Sequence, residues 1–135
     1  MTPLLRLYEA ADTQGLTVVA FPMRHLTAIA LPDGVIGLNP DKVDTTAGET
    51  VCLAHEMGHC LTGTFYSADD DVYRKGRCEQ RADRWAMERL VPLGELKAAL
   101  RRGVSRPYEL AEHFGVTEEF VCKCLEYYHE AKGAL

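Results

Sequence analysis

The residues with the clearest chemical meaning are His55, Glu56 and His59, which form an HExxH pattern. If this segment is helical, the two histidines lie one turn apart on the same face and can grip one metal ion. Neutral imidazole suits Zn²⁺, which in catalytic sites has three protein ligands and one water molecule. Glu56 would then lie beside the open position of the metal, where its carboxylate can accept a proton during attack on a carbonyl. The pattern predicts a zinc site with Glu56 as catalytic base.

A third ligand must come from another element, and a second predicted helix offers one. One face of that helix carries two carboxylates and two small residues: Glu79, Asp83, Ala82 and Ala86. We expect Glu79 to be the third metal ligand and Asp83 to accept the outer N–H of a ligand histidine. The two alanines would let the helices approach closely. The alternative is a solvated face on which both carboxylates pair with neighbouring arginines.

Three further side chains lie near this pattern in the sequence. Tyr66 and Tyr73 fall between the two ligand segments, and either hydroxyl could stabilise the oxyanion that develops on a peptide carbonyl. Tyrosines in such a segment more often serve packing. Cys52 lies one turn before His55 and could reach the metal, but a buried thiol in the core is the favoured interpretation.

The elements that must position these residues follow from hydrophobic periodicity and turn residues. Apolar residues at helical spacing predict a first helix over residues 3–13. Three strand-like runs follow, at residues 16–21, 26–31 and 35–38. Pro32-Asp33-Gly34 predicts a hairpin between the second and third runs, and hence a small antiparallel sheet. The strand at residues 35–39 leads toward the HExxH segment, so an extended peptide could add to its edge.

The rest of the chain is predicted to be helical. Thr46 and Glu49 form a capping box that starts the HExxH helix, which should run to about residue 61. A polar loop over residues 64–75 precedes the helix with Glu79, predicted over residues 77–91. Shorter helices are predicted at residues 93–101, 107–114 and 118–131. This order of elements predicts an α+β fold in which residues 1–135 form a single zincin-like domain.

The C-terminal segment, residues 105–131, resembles a helix-turn-helix motif with small or apolar residues at its packing positions. Its second helix begins with Thr117, Glu118 and Glu119, and acidic residues at this place repel phosphates. DNA binding is therefore disfavoured. The segment is predicted to be a helical tail packed as part of the domain, with a surface on which a protein partner could dock.

Composition narrows the class of protein. The chain has 135 residues, a net charge of −5 and 47% hydrophobic residues, which is an ordinary globular balance. Its apolar runs are far shorter than the roughly 20 residues of a membrane span, and the N-terminus lacks the pattern of a secretory signal. Five cysteines without a CxxC pattern indicate reduced thiols and a cytoplasmic protein.

Charge is distributed unevenly along the chain. Residues 1–71 contain 3 basic and 10 acidic residues, a net charge of −7, whereas residues 72–135 contain 12 and 10, a net charge of +2. Most of the basic excess lies between Arg74 and Arg106. Such a polar molecule could dock on an acidic partner, although solvated helix faces are the favoured interpretation.

The two motifs together resemble a known family. HExxH followed by Glu79 and the Ala82-Asp83 pair is similar to the gluzincin metallopeptidases. More narrowly, His55-Glu56-Met57-Gly58-His59 with Trp85-Ala86 and Leu90-Val91-Pro92 resembles the ImmA/IrrE metallo-endopeptidases. That family has HELGH, a later glutamate, an aromatic-Ala pair and Leu-Leu-Met-Pro. The departures in this last stretch are conservative.

The resemblance implies a zinc endopeptidase encoded by phage or integrative elements, which relieves repression by cleaving a helix-turn-helix repressor. It implies that His55, His59 and Glu79 bind the metal and that Glu56 is the base. A second hypothesis stays open, because the same residues would be present in a non-hydrolytic regulator that binds its repressor partner and keeps the metal site for structure alone.

Overall fold

The computed structural model describes residues 1–135 and contains helices around one small sheet. In chain order the elements are α1 (Pro3–Thr13), β1 (Thr17–Ala20), β2 (Ala28–Ala30), β3 (Val35–Leu38), α2 (Thr46–Thr62), α3 (Val72–Leu90), α4 (Leu93–Arg101), α5 (Pro107–Phe114), α6 (Glu118–Glu126) and a final π-helical turn (Tyr127–Ala131). The predicted α+β class is confirmed. No helix combines the length and the apolar character that crossing a membrane requires.

The sheet is mixed, so the prediction of a purely antiparallel sheet was wrong. The predicted hairpin is present, since β2 pairs antiparallel with β3. β1, however, pairs parallel with β3, and the strand order is β1-β3-β2. β3 therefore lies in the centre and has no free edge, which contradicts the prediction that a peptide could add to residues 35–39. The free edge near α2 belongs to β2.

A buried asparagine lies where the chain crosses from β1 to β2. The Asn39 side chain is fully buried, and its Nδ2 donates hydrogen bonds to the carbonyl oxygens of Met23 and Leu26, both at 2.8 Å. The connection between β1 and β2 is thereby held across one end of the sheet. Because a buried amide without partners would be costly, this contact stabilises the crossing and the parallel pairing that results from it.

Helix α2 begins one residue earlier than the predicted capping box implied. Thr45 is the N-cap, and its Oγ1 accepts a hydrogen bond from the Gly48 N–H at 3.0 Å. Glu49 is therefore one position too late to close a capping box, and its carboxylate accepts a hydrogen bond from the Tyr8 hydroxyl of α1. At the other end, Gly63 adopts a left-handed conformation with φ of 66°, which ends the helix.

Helix α3 is longer than predicted. Asp71 caps it by accepting a hydrogen bond from the Arg74 N–H at 2.7 Å, so the helix starts at Val72 instead of residue 77. The predicted polar loop is correspondingly shorter. Tyr73 therefore lies on the first turn of a helix and not in the loop that connects the two ligand segments.

The two long helices touch backbone to backbone at one point. A Cβ placed on Gly58 of α2 would lie 2.6 Å from the carbonyl oxygen and 3.0 Å from the Cα of Ala82. Ala82 and Ala86 are completely buried in this contact region, as the sequence pattern predicted. Small residues on both helices thus bring the faces that carry the histidines and the carboxylates within side-chain reach.

The C-terminal helices close the core from the other side. α5 ends at Gly115 with φ of 71°, and Thr117 caps α6, as predicted for the turn between them. The helix predicted over residues 118–131 changes to a π-helical turn after Glu126. Within this turn the Tyr127 hydroxyl donates to Glu88 and the Tyr128 hydroxyl to the Val91 carbonyl, both at 2.7 Å, and we attribute the wider turn to these two contacts.

The close contact between α2 and α3 generates a stability prediction. Gly58→Ala should lower the free energy of unfolding by about 1–3 kcal/mol, because the added methyl group overlaps the Ala82 backbone. Gly76→Ala is the matched control, since Gly76 lies on an exposed turn of α3 and its added Cβ meets nothing within 4 Å. The control should be neutral or stabilising by up to about 1 kcal/mol. Chemical denaturation measures both, and equal midpoints would contradict the inferred overlap.

Candidate metal centre

Three side chains from two helices converge at one point between α2 and α3. His55 Nε2 lies 2.9 Å from Glu79 Oε1, and His59 Nε2 lies 2.9 Å from Glu79 Oε2. The two Nε2 atoms are 3.2 Å apart. His55, His59 and Glu79 form a group whose ligand atoms all lie within 4.8 Å of one another, a group that could hold a metal ion.

The outer nitrogens of both histidines have other partners. His55 Nδ1 lies 2.8 Å from Asp83 Oδ1, and His59 Nδ1 lies 2.7 Å from the Thr64 carbonyl oxygen. A carbonyl oxygen and a carboxylate accept hydrogen bonds, so both Nδ1 atoms carry hydrogen. In the neutral imidazoles the Nε2 atoms are therefore unprotonated, and their lone pairs face each other and the Glu79 carboxylate.

This arrangement of acceptors requires a positive charge between them. Burial lowers the pKa of His55, but the hydrogen bond to Asp83 and the charges of the surrounding carboxylates outweigh it and raise the pKa to about 8. Burial would raise the pKa of Asp83, but its hydrogen bond to His55 and the histidine charge lower it overall. Without a metal a proton on His55 supplies the missing charge, and a bound cation would replace that proton.

The donor set fits a tetrahedral cation. Ligand atoms bound at Zn–N distances of about 2.0–2.1 Å in tetrahedral geometry are separated by roughly 3.3 Å. The two Nε2 atoms are 3.2 Å apart and each lies 2.9 Å from a Glu79 oxygen, so only small shifts of the side chains are needed. His59 is buried and Glu79 is 40% exposed, so the site is anchored in the core and opens toward solvent on the Glu79 side.

Glu56 stands next to this group and lines the same groove. Burial raises the pKa of the Glu56 carboxyl above its ordinary value, and the nearby Glu79 charge acts in the same direction, whereas His55 and His59 oppose the shift. A carboxylate with a raised pKa is a stronger proton acceptor than a solvent-exposed glutamate. The position and environment of Glu56 therefore suit proton transfer beside a metal.

Of the two candidate tyrosines, only Tyr66 contacts the candidate metal centre. The Tyr66 hydroxyl donates a hydrogen bond of 2.9 Å to Glu79 Oε2, and its ring centroid lies 6.4 Å from that of His59. Tyr73 is 75% exposed, and its ring contacts the Arg77 guanidinium instead. Cys52 does not belong to the group of candidate metal ligands. All five cysteines are free thiols, as predicted.

A groove of about 480 Å³ leads past the centre. One wall is β2 with its flanking residues, and the other is formed by the candidate metal centre with the loop after α2. The wall residues Leu26, Leu31 and Phe65 are apolar and in part exposed. β2 lies at the edge of the sheet, so its outer side offers unpaired backbone groups to this groove.

Sequence reasoning missed the Thr64 carbonyl that orients His59. A backbone acceptor leaves no pattern of residue types. The only available signal was Gly63, which predicted the end of α2. Its left-handed conformation turns the chain back, so that Thr64 reaches the histidine of the preceding turn.

The contact between His55 and Asp83 generates a prediction about metal affinity. Asp83→Asn keeps an oxygen that can accept the His55 N–H bond but removes the negative charge that favours a cation nearby. We expect the affinity for Zn²⁺ to fall by about 10–100-fold. Asp69→Asn is the control, because Asp69 is exposed and makes no side-chain hydrogen bond. Competition with a chromogenic chelator measures both affinities, and equal values would contradict the role given to Asp83.

Comparison with known proteins identifies the family. The family model of the IrrE N-terminal-like domain, whose members are metal-dependent peptidases, matches residues 11–126 of the chain. A search of the curated proteins finds no match. The matched region contains the complete sheet, both long helices and the whole candidate metal centre. The chain therefore belongs to the IrrE N-terminal-like peptidase family.

Proposed function

We propose that this protein is a cytoplasmic zinc-dependent endopeptidase. The observation that carries the proposal is the convergence of two imidazole nitrogens and one carboxylate, with Glu56 beside them, on a groove that has a free strand edge. His55, His59 and Glu79 are the proposed metal ligands.

Zinc is the metal that suits this set of donors best. Two neutral imidazoles and one carboxylate are typical of catalytic Zn²⁺ sites, which leave the fourth position open. Mg²⁺ and Ca²⁺ prefer shells made only of oxygen ligands, and thiolate-selective metals would require cysteines in the group. Glu79 is the most exposed of the three proposed ligands, and all three line the groove, so an ion held by them would be accessible from the groove.

The proposed substrate is an extended peptide segment that pairs with β2. Ala28–Ala30 has its inner edge paired with β3, so its outer edge can form backbone hydrogen bonds with a bound chain. Such pairing is independent of sequence, and the apolar wall residues Leu26, Leu31 and Phe65 would favour apolar side chains. A segment already folded in a helix or a sheet cannot pair in this way, so cleavage requires a locally unfolded region.

The side chains have separate tasks in the proposed reaction. When bound, Zn²⁺ lowers the pKa of water and polarises the peptide carbonyl. Glu56 takes a proton from the attacking water and later delivers it to the leaving amine. Asp83 and the Thr64 carbonyl hold the two histidines in the orientation and tautomer that leave Nε2 free for the metal.

The proposed partner is a helix-turn-helix repressor of a phage or another mobile element. This follows from the sequence resemblance to the ImmA/IrrE metallo-endopeptidases, in which cleavage of such a repressor relieves repression. The acidic start of α6 also supports a protein partner over a nucleic acid, because Glu118 and Glu119 lie where a DNA-binding motif would approach phosphates.

Replacement of the base tests the chemistry. Glu56→Gln should retain stoichiometric zinc, because Glu56 is not among the three ligands, but it should lower peptide cleavage by at least about 100-fold, the scale of general base catalysis. Co-expression with a repressor encoded beside this protein, followed by intact-mass measurement, detects cleavage. Elemental analysis of the purified variant measures zinc.

Two outcomes would contradict the proposal. Undiminished cleavage by Glu56→Gln would remove Glu56 as the base. A stable complex of the zinc-loaded wild-type protein with an intact repressor would favour the non-hydrolytic regulator. His59→Ala is the companion variant, and it should lose both zinc and cleavage because it removes one ligand.

The two tyrosines provide a matched pair of variants. The Tyr66 hydroxyl lies at the centre and can turn from Glu79 toward the oxyanion of a bound peptide, whereas Tyr73 is remote. Tyr66→Phe should reduce kcat by about 10–1000-fold with a small effect on KM, because the hydrogen bond forms in the transition state. Tyr73→Phe should match wild type. Equal kcat for both variants would show that Tyr66 serves packing only.

A further inference from the structure

Helix α3 has a second chemical face that the metal centre does not use. Three arginines, Arg74, Arg77 and Arg81, follow one another at intervals of three and four residues and therefore share one side of the helix. Since a helix rises about 1.5 Å per residue, the stripe is roughly 10 Å long. The carboxylates of Glu79 and Asp83 lie on the side that faces α2.

The three arginines line a recess of about 230 Å³, which we call the arginine recess. Its remaining walls are Gly63, Thr64 and Cys78. Arg74 is held in place, because its guanidinium donates to the Phe65 carbonyl oxygen at 3.3 Å and lies 3.7 Å from Asp70. One wall of the recess is thus ordered before any ligand binds.

Most of the positive charge in the recess is not neutralised. Asp70 is the only carboxylate that forms a salt bridge with any of the three arginines, which leaves about two positive charges. Arg77 contacts the Tyr73 ring, with 4.9 Å between its guanidinium carbon and the ring centroid, and forms no salt bridge. Arg81 has neither a salt bridge nor a side-chain hydrogen bond within the protein. This local positive charge contrasts with the net charge of −5 of the whole chain.

The arginine recess adjoins the peptide groove, and Thr64 lies between them. Thr64 lines both, and its carbonyl oxygen orients His59. A chain that leaves the groove and crosses Thr64 would therefore reach the side of the loop on which the three arginines lie. The length of the stripe corresponds to about three residues of an extended chain.

We propose that the arginine recess binds an acidic segment of the protein substrate, a few residues away from the peptide bond in the metal groove. The proposal rests on the proposed function for the identity of the ligand. Arginine suits this task, because its planar guanidinium binds a carboxylate through two parallel hydrogen bonds. The recess would add affinity and would select substrates by charge, whereas pairing with β2 does not distinguish sequences.

A peptide fits the recess better than a nucleic acid. Three arginines over roughly 10 Å can contact few phosphates, and nucleic-acid binding depends on many such contacts. The overall negative charge of the protein also repels a long polyanion. A short acidic segment, by contrast, matches both the length of the stripe and its position next to the proposed peptide groove.

The test measures binding of a fluorescein-labelled hexaglutamate peptide to the zinc-loaded protein by fluorescence anisotropy at low salt, with hexaglutamine as the uncharged probe. Hexaglutamate should bind at least about tenfold more tightly than hexaglutamine. Arg77→Gln with Arg81→Gln should abolish that difference, since each exposed charge pair contributes up to about fivefold. Arg101→Gln with Arg102→Gln removes the same charge at the exposed end of α4 and should retain it.

Three results would overturn the proposal. The first is equal binding of hexaglutamate by the recess variant and the Arg101/Arg102 control. The second is binding that disappears with the metal but persists in the recess variant, because the carboxylates would then be bound at the metal centre. The third is tighter binding of a labelled 12-nucleotide single-stranded DNA through Arg77 and Arg81. The measurement requires no turnover, so its result is separate from that of the cleavage test.

Discussion

The candidate metal centre brings together hydrogen-bond acceptors whose mutual repulsion only a positive charge can relieve. Asp83 and the Thr64 carbonyl occupy the outer nitrogens of His55 and His59, so both inner lone pairs face the Glu79 carboxylate at about hydrogen-bond distance. Left alone, these groups would repel each other. A proton on His55 relieves the repulsion in part, as its raised pKa indicates, and a tetrahedral cation would relieve it fully. These acceptors are complementary to a cation, and this complementarity indicates a metal centre more strongly than the HExxH spacing does by itself.

Close packing makes that convergence possible. Gly58 lies between the two histidines in sequence, and its missing side chain lets α2 touch the backbone of α3 at Ala82. Ala82 is also between Glu79 and Asp83, so the contact point of the helices and the centre of the site coincide. Helix α3 consequently has two chemically distinct sides: its carboxylates lie at the candidate metal centre, and its arginines line a recess on the other side of the loop that orients His59.

The sheet forms one wall of the groove with its free edge. Because β3 is inserted between β1 and β2, the strand beside the metal centre is β2, and its outer edge forms one wall of the groove. Asn39 maintains this order by holding the connection between β1 and β2 with two side-chain hydrogen bonds. The strand predicted to receive a peptide, residues 35–39, lies in the middle of the sheet and cannot do so. The proposed peptide site is therefore on the neighbouring strand, β2.

Local signals in the sequence determined the helices and the hairpin, because periodicity, caps and turn residues act within a few positions. The spacing of the two motifs likewise indicated the family and the candidate site residues. These signals could not determine the pairing of β1, the acceptors at Thr64 and Glu49, or the π-helical turn. The connection between β1 and β2 is held by a buried asparagine that reaches residues 13 and 16 positions away, and backbone acceptors leave no trace in residue types. Even the choice between Tyr66 and Tyr73 depended on where α3 begins. Those features arise from contacts between distant segments, which exist only once the chain has folded.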